Sequence, residues 1–504
     1  MKKHLVLSLF FLLIVSELFA IHLRAANIEV ERVAGSTTQY LVRLTVFSDD
    51  DTDAYNGNTN GVEVVNPQEI FLNDSPTPIE IYAVTSGIAV GNKTNKTIFE
   101  RVIDVSSPNG KFFIKWNGQL RNEGIVNIQT VTAIPYQLYV ETFFFLNGFD
   151  KPNNSPRMTI DPVDKGYVNT VYTYNSGAYD VDGDSLSYEL ITIQAGKPNS
   201  SGALIGSDIP SAVSPSDPSI GGGGSLSIDP SRGTVTWDSP RLPGEYNIAI
   251  KISEWRDGLR IGYLIRDMQI IIEDTDLSPP LIMLPNDTCV VAGSILEAQI
   301  ISWDENDDEV KLEHYGLPKE LGAILIVDKI LKDSLVGNYS WAVNCDEARD
   351  QAYYSYFRTI NNPGKSYALT TYREWSITVI GAPVENVNTV EVGNGVNVSW
   401  DEYCGESGNV SGLQVWRRSC DLPPVVLDYC TTGVPDSWGF QKIADLKRDV
   451  VSYLDKSTFK GTKYYYLLIA EIEGVSSSIA VPSVIDSIET GIKGPWITHA
   501  SIVA

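Results

Sequence analysis

Histidine and basic residues are both scarce in this chain. It has four histidines among 504 residues, and two of them, His4 and His22, lie in or beside the extreme N-terminus. Catalysis by histidine and zinc binding through imidazole therefore have almost no residues to draw on. Lys and Arg number 38 against 63 Asp and Glu, which gives a formal net charge of −25. A chain this acidic repels phosphate backbones, so nucleic acid is excluded as a partner.

The sequence also lacks an apolar run long enough for a comfortable membrane span. Its longest run, Leu5 to Ile14, follows two lysines. A basic start followed by a short apolar run is typical of a secretory signal peptide. We expect the signal within residues 1–26, with cleavage after Ala20 or, alternatively, after Ala25 or Ala26. The mature protein is then secreted or held at the cell surface without a transmembrane segment; the alternative is an uncleaved membrane anchor.

Cysteine is limited to five residues, all in the second half of the chain. None is spaced as CxxC and none neighbours a histidine, so zinc and redox motifs of those kinds are missing. In an exported protein the thiols can form disulfides, and an odd number leaves one over. We predict that Cys289 pairs with Cys345 and Cys420 with Cys430, which leaves Cys404 single, although spacing alone does not determine pairing.

The sequence pattern contains no long amphipathic helix, and strand signals dominate from residue 27 onward. Runs of β-branched and aromatic residues, such as Tyr40–Val46 and Tyr246–Ile252, are separated by turns that draw on 40 glycines and 26 prolines. This pattern predicts an all-β fold of tandem β-sandwiches in an extended array.

Clusters of proline and polar residues between strand groups set the expected domain boundaries. We expect a signal peptide in 1–26, four β-sandwich modules in 27–151, 152–276, 277–382 and 383–486, and in 487–504 a linker with the first strand of a truncated next module. A stretch rich in Gly, Ser and Pro, 197–227, lies inside the second module and is interpreted as a long surface loop.

Three landmarks recur in the second and third modules in the same order. The segment 179–188 corresponds to 303–312, Trp237 to Trp341, and 266–272 to 373–379, at offsets of 124, 104 and 107 residues. Such agreement is hard to reach by chance. We therefore interpret the two modules as repeats with loops of different length.

The motif with the most chemical character is Asp180-Val-Asp182-Gly-Asp184. Alternate aspartates on a turn bring several carboxylate oxygens within reach of one hard cation, and Ca²⁺ prefers six to eight oxygen ligands. The alternative is that these aspartates form Asx-turns, which hydrogen-bond the backbone where a strand begins. The sequence thus suggests Ca²⁺ as the only cofactor and leaves both interpretations open.

Two further acidic segments are weaker candidates for binding a metal ion. The equivalent turn of the third module carries Asp304, Asn306, Asp307 and Asp308. The run Asp49–Asp53 follows a strand and is more typical of an exposed, solvated turn.

The sequence contains no GxSxG, HExxH or P-loop spacing. Glu254-Trp255 and Glu374-Trp375 place carboxylates beside tryptophans that could stack on sugars, and a glycosidase needs two carboxyl groups about 5–9 Å apart. The two pairs lie on strand ends of separate modules, so we expect no enzyme activity. Tyr353, Tyr354 and Tyr356 could bind glycans, but their spacing fits a half-buried strand better.

The last module has the clearest fold signature. Its strand-like segments run from Val396–Trp400 to Gly461–Ala470. This succession resembles a fibronectin type III domain. In that family the tryptophan of the second strand, here Trp400, fills the core, and a tyrosine, here Tyr464 or Tyr466, packs or caps a corner. The resemblance implies a fold and no active site.

The second module shows a wider resemblance, carried by Asp180–Tyr188, Ile228–Trp237, Gly244–Gly258 and Arg266–Ile270. These segments resemble the cadherin-like and Ig-like repeats of large secreted proteins from gliding Bacteroidetes, described as gliding motility-associated C-terminal domain proteins. The resemblance implies export through a C-terminal sorting domain and an adhesive or matrix role. That sorting domain is missing after residue 485, so the chain is interpreted as truncated.

Two functions of different classes follow from the sequence. The first is a non-catalytic exported cell-surface or extracellular protein, an adhesion or gliding-associated spacer whose partner is a cell-surface or matrix polysaccharide or protein. The second is a glycan-binding accessory part of a polysaccharide-degrading or peptidase system whose catalytic domain is absent.

Overall fold

Nearly all regular secondary structure in the protein is β-strand. The computed structural model describes residues 23–49, 64, 66–105, 110–122, 124–128, 136–146, 152–349, 351–365, 367–393, 395–403, 410–419, 432–472 and 486–490. Within these ranges the strands form several sheets joined by one single-turn α-helix and three short 3-10 turns. The predicted all-β fold is confirmed.

The first module has seven described strands around one core. Their bounds are β1 Leu23–Arg32, β2 Gln39–Asp49, β3 Gln68–Leu72, β4 Ile79–Gly91, β5 Thr94–Asp104, β6 Lys111–Leu120 and β7 Gln137–Phe145. Side chains at alternate positions point inward, so Val42, Leu44 and Val46 of β2 are fully buried. All seven strands are hydrogen-bonded in one continuous order, β1-β2-β5-β4-β3-β6-β7, and enclose one core.

The first strand begins inside the segment assigned to the signal peptide. Ala25 and Ala26 are both fully buried in β1. Cleavage after either residue would remove part of a core strand, whereas cleavage after Ala20 leaves β1 whole.

The second module continues with short strands and two long ones. Their bounds are β8 Arg157–Met158, β9 Val163–Tyr167, β10 Tyr172–Tyr174, β11 Ala178–Tyr179, β12 Ser185–Ile191, β13 Gln194–Pro198, β14 Leu204–Asp208, β15 Ser225–Ile228, β16 Val235–Asp238, β17 Gly244–Arg256 and β18 Leu259–Glu273, with a 3-10 turn at Pro218–Ile220. The stretch predicted as a long loop is therefore partly regular, since it contains β14, β15 and the 3-10 turn.

One sheet runs through both of these modules. Strand β18 pairs with β17 on one side and with β7 on the other, where Leu264 lies opposite Thr142. It also meets β1, where Asp267 lies opposite Ala26. The sheet thus crosses the boundary expected at 151/152, since strands from both sides of that boundary are hydrogen-bonded to each other.

The hairpin of β13 and β14 packs on the first module. A Cβ atom on Gly196 would lie 2.2 Å from the side-chain oxygen of Asn117, and one on Gly206 would lie 2.5 Å from the Tyr139 ring. Glycine here permits close packing between backbone and side chain. At Gly206, inside the stretch predicted as a loop, glycine is thus part of a packed strand.

The third module is a sandwich of two four-stranded sheets, β19-β21-β24-β23 and β20-β26-β25-β22. Its strands are β19 Leu281–Met283, β20 Thr288–Val291, β21 Ile295–Trp303, β22 Val310–Tyr315, β23 Ile324–Leu331, β24 Ser334–Ala342, β25 Tyr353–Asn361 and β26 Thr370–Ile380, with helix α1 at Leu317–Glu320 and a 3-10 turn at Cys345–Glu347. Trp341 and Trp375 fill the space between the sheets and are almost fully buried.

Tyrosines join the third module to the second. Tyr356 and Tyr372 are buried in the same apolar cluster as Tyr172 and Tyr188 of the second module. The phenol hydroxyl of Tyr167 also donates to the Ala368 carbonyl at 3.0 Å. Tyr356 of β25 and Tyr372 of β26 therefore serve a junction between modules, while Tyr353 is buried in the third module's own core. This arrangement is consistent with the half-buried strand.

A buried acid at this junction predicts a pH dependence. Asp164 of β9 is 3% exposed, and burial raises its pKa to about 7, although Thr370 and Arg358 of the third module oppose the shift. An unfolded aspartate has a pKa near ~3.9. The folded protein therefore holds this proton more tightly, and the stabilisation present below pH ~4 is lost as the pH rises through 7.

We expect the melting temperature to fall as the pH rises from 4 to 8, and the fall to be smaller in Asp164→Asn, which keeps the shape and removes the charge. Thermal denaturation at a series of pH values measures both slopes. Equal slopes in the two proteins would contradict the assignment.

The fourth module has two sheets, β27-β28-β31 and β30-β29-β32-β33. Its strands are β27 Asn388–Val392, β28 Gly395–Ser399, β29 Val410–Ser419, β30 Gln441–Lys447, β31 Ser452–Asp455, β32 Lys463–Ile472 and β33 Asp486–Glu489, with a 3-10 turn at Asp436–Trp438. Trp400 is buried in the core, and the Tyr464 hydroxyl accepts a hydrogen bond from the Phe459 amide at 2.8 Å. Both roles match the fibronectin-like expectation. Since β33 pairs with β32, the module extends a few residues past the expected end at 486.

The cysteines fall into two groups. Cys289 lies in β20, and Cys345 begins a 3-10 turn of the same module. The segments are close, because Gly293 after β20 donates to the Val343 carbonyl at 2.7 Å. This proximity suits the predicted pair, which stays a prediction. Cys404, Cys420 and Cys430 lie outside the described residues.

A candidate metal centre between the first and second modules

The three aspartates lie in the turn between β11 and β12. One carboxylate oxygen of Asp180 accepts the backbone N–H groups of Asp182 and Asp184 at 2.8 and 2.9 Å. Gly183 allows this turn, since its φ of +84° is a conformation that other residues rarely adopt. The predicted Asx-turn is therefore present, and it uses one oxygen of one aspartate.

The same turn brings the three carboxylates together. One ligand atom from each of Asp180, Asp182 and Asp184 lies within 4.8 Å of the others, and Asp180 and Asp184 are buried. The predicted calcium residues thus form one group.

Neighbouring segments hold the other two carboxylates in place. Asp182 accepts hydrogen bonds from the backbone N–H and the side-chain amide of Asn154, both at 2.7 Å. Arg256, at the end of β17, binds both oxygens of Asp184, at 2.7 and 2.5 Å. The turn is thereby tied to the segment that links the first two modules.

A fourth carboxylate, that of Glu254, completes the cluster. It lies in β17 opposite Leu186 of β12 and is fully buried. The amide of Asn153 donates to one of its oxygens at 3.2 Å. Its position requires Gly262 on the adjacent strand, because a Cβ there would lie 1.9 Å from the carboxylate.

Two buried oxygens of the cluster, Oδ2 of Asp180 and Oε1 of Glu254, accept no hydrogen bond from an amide or hydroxyl group. The two carboxyl groups instead hydrogen-bond to each other, an interaction that raises the pKa of Glu254 and opposes the rise for Asp180, so Glu254 carries the shared proton. Burial, together with the neighbouring carboxylates, raises the pKa of Asp180 to about 7 and the pKa of Glu254 well above its usual range. Two facing buried carboxylates need a positive charge between them, which a proton or a metal ion supplies.

The third module contains a matched arrangement without this conflict. Asp304, the equivalent of Asp180, accepts the Asn306 amide N–H at 2.8 Å in the same kind of turn. Its other oxygen accepts the side-chain amide of Asn361 at 2.9 Å. Asn361 lies opposite Val310 just as Glu254 lies opposite Leu186. The two repeats therefore share the turn and differ in the residue that faces it, an amide in one and a carboxyl in the other.

These contacts define what the cluster can bind. The cluster contains four carboxyl groups, those of Asp180, Asp182, Asp184 and Glu254, and one cation, Arg256, which pairs with Asp184. All the donor atoms are oxygens, which suits a hard cation such as Ca²⁺ and not a metal that prefers nitrogen or sulfur. Such an ion would displace the proton that Asp180 and Glu254 share and bind their facing carboxylates.

The structure also separates the two Glu-Trp pairs. Glu374 accepts hydrogen bonds from Thr234 and Arg232 of the second module, and Trp375 is buried in the third-module core. Glu254 belongs to the acidic cluster, and the Trp255 indole donates to Ser187 at 2.7 Å. Neither pair is arranged as a sugar-binding acid and ring.

No protein-family model matches the chain, and no curated protein matches it. Solved structures that match include titin domains A168–A170, with 12% identity over 66% of this chain and 98% of that one, and a TM-score of 0.19. The protocadherin GammaB4 extracellular domain matches with 10% identity over 85% of this chain and 64% of that one, at a TM-score of 0.20. Tandem Ig repeats of Dlar match with 10% identity over 45% of this chain and 98% of that one, also at 0.20.

These matches are tandem Ig-like and cadherin repeats. TM-scores this low do not establish a shared arrangement of modules, so the fold assignment rests on the sheets described above. Within the described ranges, no helix combines the length and apolar character that a membrane crossing requires.

Proposed function

We propose that this chain is a non-catalytic exported protein that acts as a stiff spacer at or outside the cell surface, with an adhesive role. The observation that carries the proposal is the continuity of the junctions. The first two modules share a sheet through β18, and the second and third share a cluster of buried tyrosines. Modules joined by buried contacts transmit orientation, whereas modules joined by bare linkers do not.

The junction of the third and fourth modules supports the same proposal. Ile472 of β32 is 5% exposed and packs in the third-module core. The hydroxyl of Tyr403 donates to the carbonyl of Ala382, in the connecting segment, at 2.8 Å. Each junction in the described residues thus has apolar or hydrogen-bonded contacts.

Calcium has a specific place in this proposal. The acidic cluster ties the turn of the second module to Asn153 and Asn154, in the segment that follows the first module. An ion bound by Asp180 and Glu254 would neutralise the facing carboxylates and fix that segment. The proposed role of Ca²⁺ is therefore to stiffen the junction.

Export and the family relation are part of the proposal. A signal cleaved after Ala20 suits the buried start of β1. The repeat motifs support a relation to secreted proteins of the gliding motility-associated type, with a matrix or surface polysaccharide or protein as partner.

Small-angle X-ray scattering on the purified secreted chain tests the stiffness. We expect the profile to fit one arrangement of the modules and to stay unchanged between low and high salt. Replacing Tyr356 and Tyr372 together by serine should loosen the second junction and broaden the distance distribution. Tyr367→Ser, at a site 51% exposed, is the control and should leave the profile unchanged. A wild-type profile that requires an ensemble of module orientations would overturn the proposal.

A further inference from the structure

A groove lies on the outer face of the sheet that the first two modules share. Its floor is formed by adjacent strands, with Glu141 on β7, Tyr263 and Ile265 on β18, and Lys251 on β17. The β13–β14 hairpin forms one wall. The groove encloses about 420 Å³, which falls in the range of ligand pockets of about 300–1,000 Å³.

The carboxylate of Glu141 is oriented by two phenol hydroxyls. Tyr139 donates to one oxygen at 2.5 Å and Tyr263 donates to the other at 2.6 Å. The carboxylate is thus held by neutral donors, and each of its oxygens retains capacity to accept another hydrogen bond. A fixed, planar acceptor of this kind suits a ligand with hydroxyl groups.

The wall formed by the β13–β14 hairpin carries further polar groups. Gln194 of β13 donates to Asp208 of β14 at 3.1 Å, and both side chains line the groove. On the floor, the ammonium of Lys251 pairs with Glu189 at 3.1 Å. Because the lysine charge is compensated and carboxylates are present, the groove does not favour an anionic ligand.

An aromatic ladder continues from the groove across the first module. The Tyr263 ring lies 5.4 Å from Phe143, whose ring lies 4.9 Å from Phe113. Tyr263 is half-buried, and the Lys251 ammonium and the Arg260 guanidinium lie 4.7 and 5.6 Å from its ring centre. Planar polar groups beside an aromatic ring are the surfaces that hydrogen-bond sugar hydroxyls and pack on sugar C–H groups.

A peptide strand is a poorer fit to this place. Strand β12 forms the sheet edge beside the groove, and its Tyr188 amide already donates to the Pro230 carbonyl at 2.9 Å. The centre of that edge is therefore engaged, and adding a strand there would break this contact.

We propose that this groove binds a neutral oligosaccharide segment, hydrogen-bonded by Glu141, Gln194 and Asp208 and packed against Tyr263. The site takes one acid from the first module and its other groups from the second, so it exists only where the two modules share their sheet. This inference goes beyond the spacer function, which would survive its failure.

Affinity electrophoresis and titration calorimetry of the full secreted chain test the proposal. The probes are soluble β-1,3-glucan, xylan, mannan, cello-oligosaccharides and chito-oligosaccharides. We expect saturable binding of at least one, weakened roughly tenfold or more by Asp208→Ala, which removes an acceptor. Thr192→Trp, which places a large ring on an exposed residue of the groove, should block binding while the fold is retained.

The matched control is Asp238→Ala, which removes an exposed carboxylate outside the groove and should leave binding unchanged. Folding of each variant is checked by its melting temperature. Absence of binding to every probe by the folded wild type would overturn the proposal. Equal binding by the wild type, Asp208→Ala and Thr192→Trp would do the same.

Discussion

Replacing Asp267 by alanine is expected to destabilise the first two modules together by about 3–5 kcal/mol, the loss typical of a buried ion pair deprived of one partner. Asp267 and Arg121 are both almost fully buried, and their side chains form two hydrogen bonds of 2.6 and 2.8 Å. Removal of the carboxylate leaves the guanidinium buried with the Gln194 carbonyl as its remaining hydrogen-bond partner. Chemical denaturation measures the change in the free energy of unfolding.

The location of this pair makes the result informative about architecture. Asp267 lies on β18, and Arg121 follows β6 of the first module. We therefore expect a single transition for both modules to shift as a whole. Asp74→Ala is the control, because it removes the 83% exposed partner of Lys115 and should change stability by less than about 1 kcal/mol. A similar small change in Asp267→Ala would contradict the proposed coupling.

Calcium is expected to stabilise the wild-type protein and to have little effect on Glu254→Gln. An ion that binds only the folded state at one hundred times its dissociation constant contributes about 2.7 kcal/mol. Without metal, Glu254→Gln should melt at a higher temperature than the wild type, because an amide can donate to Asp180 without first binding the proton that the buried Glu254 needs. With calcium the order should reverse. Thermal denaturation in chelator and in calcium measures the four melting temperatures, those of the wild type and of Glu254→Gln in each condition.

The third module provides the control for this experiment. Its turn already has an amide, Asn361, in the position of Glu254. Asp308→Asn, which changes the equivalent of Asp184, should therefore leave the calcium response unchanged. The calcium site would be rejected if the wild type showed no shift, or if Glu254→Gln showed the same shift.

Local patterns predicted the strands and part of the cluster. The alternation in Tyr246–Ile252 marks a real strand, and Asp180, Asp182 and Asp184 meet as their spacing suggested. The side chain that faces Asp180 in the cluster, Glu254, was interpreted from the sequence only as a carboxylate beside Trp255. The repeat offset of 107 residues, which relates it to Asn361, was the signal that could have identified it.

What the sequence could not supply was pairing between distant strands. The position of Glu254 opposite Leu186 depends on the register of β12 and β17, which are separated by a long insertion. The shared sheet depends on β18 pairing with β7 across a segment whose proline and asparagine content is typical of a linker. Composition reports local flexibility, whereas register depends on which faces are buried in the completed fold.

Strand β18 belongs to the second module and also pairs with strands of the first, and this restricts how such a protein can change by recombination. A module whose sheets contain only strands from its own segment of the chain can be duplicated, deleted or exchanged as a separate block. Here a strand encoded at the end of the second module closes the sheet of the first, so a break between them would leave β1 and β7 with unpaired edges. The first two modules therefore form one unit that must be inherited or transplanted together, whereas the third and fourth modules have sheets of their own and meet their neighbours through side-chain contacts.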